Sequence, residues 1–175
     1  MEFVTDKAKI VEALVYIASK FAGVSRFHAA KILYFAERNH LRIYGRPIAG
    51  DRYIAMENGP VPSFAYDVLK GTVHPADKGL AEGALQPLEG GHYPRYATGR
   101  QPDLDLFSVS DIECLDDAIE YCRHKTFGAI SDETHEHTAW SKADLNAPME
   151  YEEFLEGIAE DIRAEAAIFA AYGVL

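Results

Sequence analysis

The residues best suited to metal chemistry lie close together in the segment Asp132–His137. Two histidines, His135 and His137, are flanked there by carboxylates and could bind a divalent metal. Their spacing of two residues, however, would point the rings about 200° apart on a helix, whereas a helical zinc pair needs a spacing of three or four. We therefore expect no metal or cofactor, with one histidine under Trp140 and the other in solvent. A metal-dependent enzyme at His135 and His137 remains the weakest alternative.

Other signatures of catalysis are missing from the sequence. No Ser or Cys lies in a sharp glycine-flanked turn, and the glycine pair 90–91 lacks the Lys and the helix of a phosphate-binding loop. Cys114 and Cys122 fall in one predicted helix about 12 Å apart, too far for a disulfide. We predict two core thiols in a reducing compartment, no catalytic residues and no enzymatic activity.

A helix-turn-helix is a second alternative, because two predicted helices flank a short turn at Gly23. The cations that could contact phosphates there are Arg26, Lys31, Arg38, Arg42 and Arg46. They are spread around the helix, which favours a buried helical hairpin over a DNA-binding regulator.

The N-terminal and C-terminal parts of the chain differ in net charge. The 175 residues carry a net charge of −11, with +3 in residues 1–70 and −14 in residues 71–175. A chain this acidic repels nucleic acid and anionic lipid, so we expect neither as a partner. The sequence begins with no basic and apolar leader and contains no apolar run long enough to span a membrane, which predicts a soluble cytoplasmic protein.

The stretch from Tyr44 to Ser63 combines three glycines and three prolines with aromatic neighbours. Such a stretch is either a tight structural corner or a preorganised surface that binds a partner at low entropic cost. We predict that the partner-binding residues are Tyr53, Met56, Asn58, Gly59, Pro60, Val61, Pro62 and Tyr66.

Hydrophobic periodicity predicts a mainly α, compact single domain over residues 1–175, with a small antiparallel sheet or hairpin as a minor element. The expected helices cover residues 6–22, 26–43, 62–70, 111–125, 127–137 and 150–172, and the expected strand covers residues 52–57. Ser110 and Glu113 fit a capping box, Thr5 and Ser25 fit N-caps, and Gly45 fits a C-terminal cap of the second helix. Residues 72–102 are rich in Gly and Pro and predict an irregular, functional or mobile loop. Short extended pieces at residues 93–98 and 104–107 could pair with the earlier strand.

Several stretches resemble the Panacea domain, the SocA-like antitoxin domain that is related to phage-associated GepA proteins. The similarity is carried by residues 31–41, 44–48, 50–53 and 58–63, which run into residues 66–70. Further matches are residues 106–116, which resemble the capped helix of the family, and Thr134, His135, Trp140, Lys142 and Ala143. Residues 72–102 contain no family motif, and we hypothesise that partner specificity varies there.

The resemblance implies an antitoxin of a bacterial or phage-borne toxin–antitoxin pair. Such a protein neutralises a cognate toxin by direct protein–protein binding, and the toxin is typically encoded by an adjacent gene. The family is mainly helical and has no established catalytic residues. A proteolytic adaptor that delivers its bound partner to a protease is the remaining alternative.

Overall fold

The computed structural model describes residues 1–173 and is mainly α-helical with two small antiparallel sheets, as the sequence predicts. The α-helices are α1 (Lys7–Lys20), α2 (Arg26–Tyr44), α3 (Ser63–Lys70), α4 (Lys78–Ala81), α5 (Val109–Arg123), α6 (Phe127–His135), α7 (Thr138–Ser141), α8 (Tyr151–Phe154) and α9 (Glu160–Tyr172). Short 3₁₀ turns occupy Pro75–Asp77 and Leu104–Leu106. Within residues 1–173, no helix is both long and apolar enough to cross a membrane.

The two sheets are built from five short strands. In the first sheet, β5 (Arg95–Thr98) lies between β1 (Val24–Ser25) and β4 (Leu85–Leu88). The second sheet is the hairpin of β2 (Tyr53–Met56) and β3 (Gly59–Pro62). The prediction of a strand near 93–98 is therefore confirmed, but its expected pairing with the strand at 52–57 is wrong, because β5 pairs with β1 and β4 instead.

Helix α2 is the centre of the core. It packs most extensively on α5 and also contacts α1, α3 and β3. Ser25 caps its N-terminus by accepting the N–H of His28, and Gly45 ends it in the left-handed conformation that favours glycine, as the sequence predicts. Large apolar side chains of α2 such as Leu33, Tyr34 and Leu41 are completely buried. Helix α2 therefore positions α1, α3, α5 and β3 around the core.

Two predicted helix caps are wrong by one or two residues. Asp6, rather than Thr5, caps α1 by accepting the N–H of Lys9, while Thr5 donates its hydroxyl to the Gly50 carbonyl. Ser108, rather than Ser110, forms the capping box of α5 with Asp111. Asp111 reaches back to the Ser108 N–H at 2.9 Å, a role that the sequence analysis assigned to Glu113.

The expected last helix is divided in two. Gly157 has φ +73°, a left-handed conformation that interrupts the helix and separates α8 from α9. The extended piece expected at 104–107 is a 3₁₀ turn, and the helix expected at 127–137 ends at His135 before α7 begins. Residues 72–102 contain only the short elements α4, β4 and β5 and one 3₁₀ turn, in keeping with their Gly and Pro content.

Candidate partner-binding surface

The hairpin β2–β3 contains most of the residues that the sequence analysis selected. Tyr53 pairs with Pro62 and Met56 pairs with Gly59, which leaves the exposed residues Glu57 and Asn58 in the turn. A tight turn between antiparallel strands fixes their register. The hairpin therefore has one defined inner face and one defined outer face.

The outer face of the hairpin is accessible. Ile54, Met56 and Val61 are half-buried, and Asn58 is exposed at the tip. Ile54 and Val61 are directly opposed across the two strands. Of the predicted partner-binding residues, the structure thus brings Met56, Asn58 and Val61 together at one accessible place; with Ile54 and Glu57 we call this the hairpin face.

The inner residues of the hairpin have a different environment. Gly59, Pro60 and Pro62 are buried, and only 1% of Tyr53 is exposed. The Tyr53 ring packs edge-on against Tyr34 at 5.5 Å. Tyr53, Pro60 and Pro62 therefore point into the protein, where they support the hairpin face. Gly59 pairs with Met56 and is buried as backbone at the turn.

Tyr66, the last of the predicted partner-binding residues, belongs to α3 and is half-buried. Arg26 and Lys70 lie over its ring at 5.9 Å and 5.4 Å from the centroid. Cations over an aromatic face are attracted by its quadrupole. Tyr66 thus lies in a basic environment, unlike the apolar outer face of the hairpin.

The hairpin is attached to the helices by hydrogen bonds to its backbone. Trp140 donates its indole N–H to the Met56 carbonyl at 3.0 Å, and Lys31 donates to the Pro60 carbonyl at 2.8 Å. Along β2, the N–H of Ala55 bonds to the Ala147 carbonyl. Both strands are therefore fixed, and the hairpin face is preorganised.

Lys31 lies beneath the hairpin with only 1% of its surface exposed. Burial lowers the pKa of its ammonium group to about 7, because a charged amine is costly to remove from water. Lys31 was a candidate phosphate contact in the helix-turn-helix alternative, but in the structure it is an internal support of the Pro60 carbonyl. The sequence signal for this internal role was the position of Lys31 beside Ala30 and Tyr34 on the apolar stripe of α2.

Two buried carboxylates fix the chain between α2 and α3. Glu37 accepts hydrogen bonds from the backbone N–H groups of residues 48–50, at 2.8–3.4 Å. Asp51 accepts from the N–H groups of residues 64 and 65 and so satisfies the start of α3. Burial raises the pKa of Glu37 to about 7 and that of Asp51 to about 6 despite these bonds. Neither residue was predicted from the sequence, although Glu37 lies on the buried stripe of α2 between Leu33 and Leu41.

A third buried carboxylate joins α1, α2 and α5. Asp111 Oδ2 lies 2.8 Å from the ammonium group of Lys9, and its Oδ1 lies 3.1 Å from both His40 Nε2 and Arg46 Nη2. Asp111 is fully buried, and burial acts to raise its pKa, but Lys9, the Ser108 N–H and Arg46 together lower it. Arg46, a candidate phosphate contact in the helix-turn-helix alternative, is thereby engaged in an internal ion pair.

The two histidines of the metal alternative face different neighbours. His135 stacks on Trp140 with ring centroids 3.9 Å apart, as predicted. His137 is half-buried rather than in solvent, and its Nδ1 is hydrogen-bonded to the Tyr34 hydroxyl at 2.8 Å. Burial lowers the pKa of His137 to about 4, so the ring is neutral. Among residues 1–173, no three His, Cys, Asp or Glu side chains are grouped as metal ligands.

The cysteines are buried and unpaired, and burial raises the pKa of Cys114 to about 11 and that of Cys122 to about 12. A thiol with such a pKa is a poor nucleophile, because the thiolate is the reactive form. Arg42 of the helix-turn-helix alternative donates to the carbonyls of Phe154 and Glu156. The two thiols thus lie in the packed interior, and Arg42 makes intramolecular hydrogen bonds.

Residues 30–141, which include most of α2, the hairpin and the segments up to α7, match the family model described as antitoxin SocA-like, Panacea domain. No curated protein and no solved structure matches the chain. A match over this much of the sequence defines the class: the fold and the hairpin belong to an antitoxin domain. The chain is a member of the SocA-like Panacea domain family.

Proposed function

We propose that this chain is an antitoxin that neutralises a protein toxin by binding it directly, and that an adjacent gene encodes the toxin. The observation that carries the proposal is the match of residues 30–141 to the SocA-like antitoxin family. We propose that the protein is non-enzymatic and acts in the cytoplasm, where the toxin would be made.

We further propose that the hairpin face is part of the toxin interface. Ile54, Met56 and Val61 offer apolar surface, and the tip at Asn58 is exposed. Fixed backbone reduces the entropy that binding must otherwise cost, so a small apolar face on a rigid hairpin suits tight association. Trp140 and Lys31 supply that rigidity through the carbonyls of Met56 and Pro60.

The charge distribution favours a basic toxin. The net charge of residues 71–175 is −14, and the outer face of α5 presents the exposed carboxylates of Glu113, Asp116, Asp117 and Glu120. Opposite charges accelerate association and are screened by salt. The association rate with the toxin should therefore fall as salt is raised. A rate that does not depend on salt would contradict a basic partner.

Co-purification with the protein from the adjacent gene tests the interface. Val61→Glu places a charge in the hairpin face and should weaken the complex, because a buried unpaired charge opposes binding. Ile168→Glu makes the same change at an exposed position of α9, where 56% of the side chain is exposed, and should leave the complex intact. Equal retention of the toxin by both variants would refute the hairpin face as an interface.

A further inference from the structure

A cavity of about 390 Å³ opens between the C-terminal end of α3 and the β4–β5 strands. Its apolar wall includes Val68 and Leu69 of α3 and Leu85 and Leu88 of β4. Most of the remaining lining comes from residues 72–102, the segment to which the sequence analysis assigned no motif. The volume lies within the range of about 300–1,000 Å³ that is usual for ligand sites.

The charged residues of this cavity are all basic. Arg26, Lys70 and Arg95 line it, whereas its lining contains no Asp or Glu, in a chain whose net charge is −11. Lys70 and Arg95 are exposed, and Arg26 is half-buried with its Nε donating to the Tyr96 hydroxyl at 3.2 Å. Their remaining N–H groups can therefore bind an anion beside the apolar wall.

Apolar side chains continue outside the cavity on the same segment. Leu80, next to the lining residue Ala81, is 40% exposed, and Tyr93, next to the lining residue Pro94, is 77% exposed. A small molecule inside the cavity would leave them in water. A protein surface around an inserted side chain would cover them, and exposed apolar surface of this kind marks interaction sites.

We propose that this cavity receives a segment of the toxin in which a large apolar side chain is flanked by carboxylates. The apolar side chain fills the space between α3 and β4, and the carboxylates pair with Arg26, Lys70 and Arg95. This inference rests on the proposed function and adds a second contact with the toxin. The cavity is basic, whereas the hairpin face is mainly apolar. It gives residues 72–102 a role, since they form most of the cavity wall and can set which toxin fits.

The test is a charge reversal at the cavity with a matched control. Lys70→Glu with Arg95→Glu reverses two exposed cations of the lining, and Lys20→Glu with Arg163→Glu reverses two exposed cations outside it. The cavity variant should raise the Kd for the toxin by about tenfold or more, and the control by no more than about threefold. Equal Kd values for the two variants would overturn the proposal.

A second measurement examines the cavity without the toxin. Anilinonaphthalene sulfonate combines apolar rings with an anion, so its fluorescence should rise with the native chain and with the control but not with the cavity variant. The toxin should displace the dye. If the native chain binds no toxin, the proposed function fails, and the dye alone decides: charge-dependent binding supports a site for an acidic apolar segment, whereas equal binding by all three proteins, or by none, overturns it.

Discussion

At Gly59 the hairpin backbone lies close to the helices, and replacement of Gly59 by Ala is the sharpest test of that contact. The residue has φ +93°, a conformation that favours glycine. An added Cβ would overlap the Thr134 hydroxyl oxygen and would lie 2.6 Å from Lys31 Nζ. Thr134 and Lys31 are both buried, so the interface has little room to relax.

The expected loss of stability has two parts. A left-handed conformation costs a non-glycine residue about 1–2 kcal/mol, and inserting a methyl group into a packed interface costs about 1–3 kcal/mol more. Gly59→Ala should therefore lower the free energy of unfolding by about 2–5 kcal/mol. Gly71→Ala is the matched control, because Gly71 has φ +69° but no atom within 4 Å of an added Cβ. The control should lose only the first part, about 1–2 kcal/mol.

Urea unfolding followed by circular dichroism measures both variants. The overlap with the Thr134 hydroxyl should also appear in a double-mutant cycle, because Thr134→Ala removes that oxygen and should make Gly59→Ala less costly. Equal losses for Gly59→Ala and Gly71→Ala, with no coupling to Thr134, would refute the packing of the hairpin against α6.

Three further substitutions examine groups that hold the hairpin or the chain just before it. The pKa of Glu37 is raised to about 7, so between pH 4.5 and pH 7 the folded state retains a proton that the unfolded state has lost. In urea titrations at several pH values, the free energy of unfolding should therefore fall by about 1 kcal/mol per pH unit over this range, and Glu37→Gln should remove this pH dependence. The pKa of Lys31 is lowered to about 7, so from pH 7 to 10 the unfolded state binds more protons than the folded state. The free energy of unfolding should therefore rise by about 1 kcal/mol per pH unit over this range, and this rise should be absent in Lys31→Met. Trp140→Phe keeps a ring but removes the donor to the Met56 carbonyl, and should cost about 1–2 kcal/mol in the same assay, whereas an unchanged midpoint would contradict this bond.

The sequence predicts helix ends well where one residue has no competitor. Ser25 and Gly45 delimit α2 as expected. At α5, Ser108 and Ser110 both satisfy a serine-based capping pattern, and only the structure distinguishes them, since Asp111 pairs with Ser108 while Ser110 bonds to His40. A local pattern cannot include a partner that lies 70 residues away in the chain.

The division of the last helix has a similar origin. Leu155, Ile158 and Ile162 continue one apolar stripe across the break, so periodicity alone predicts a single helix. The left-handed backbone at Gly157 interrupts it. A glycine within a periodic segment is tolerated in many helices, and its conformation is decided by packing that the sequence does not display.

The candidate site was predicted in part. The stretch from Tyr44 to Ser63 forms the hairpin, but the sequence predicts only one strand there, because Pro60 and Pro62 disfavour strand structure except at a sheet edge. Strand β3 is such an edge strand. Alternation also could not show that Tyr53 would be completely enclosed, since both faces of β2 carry apolar residues.

The most direct test of the central claim is bacterial growth with the protein from the adjacent gene, expressed alone and together with this chain. We expect that protein to arrest growth alone, and this chain to restore growth while the two co-purify. A harmless neighbour, or restored growth without a complex, would contradict neutralisation by direct binding.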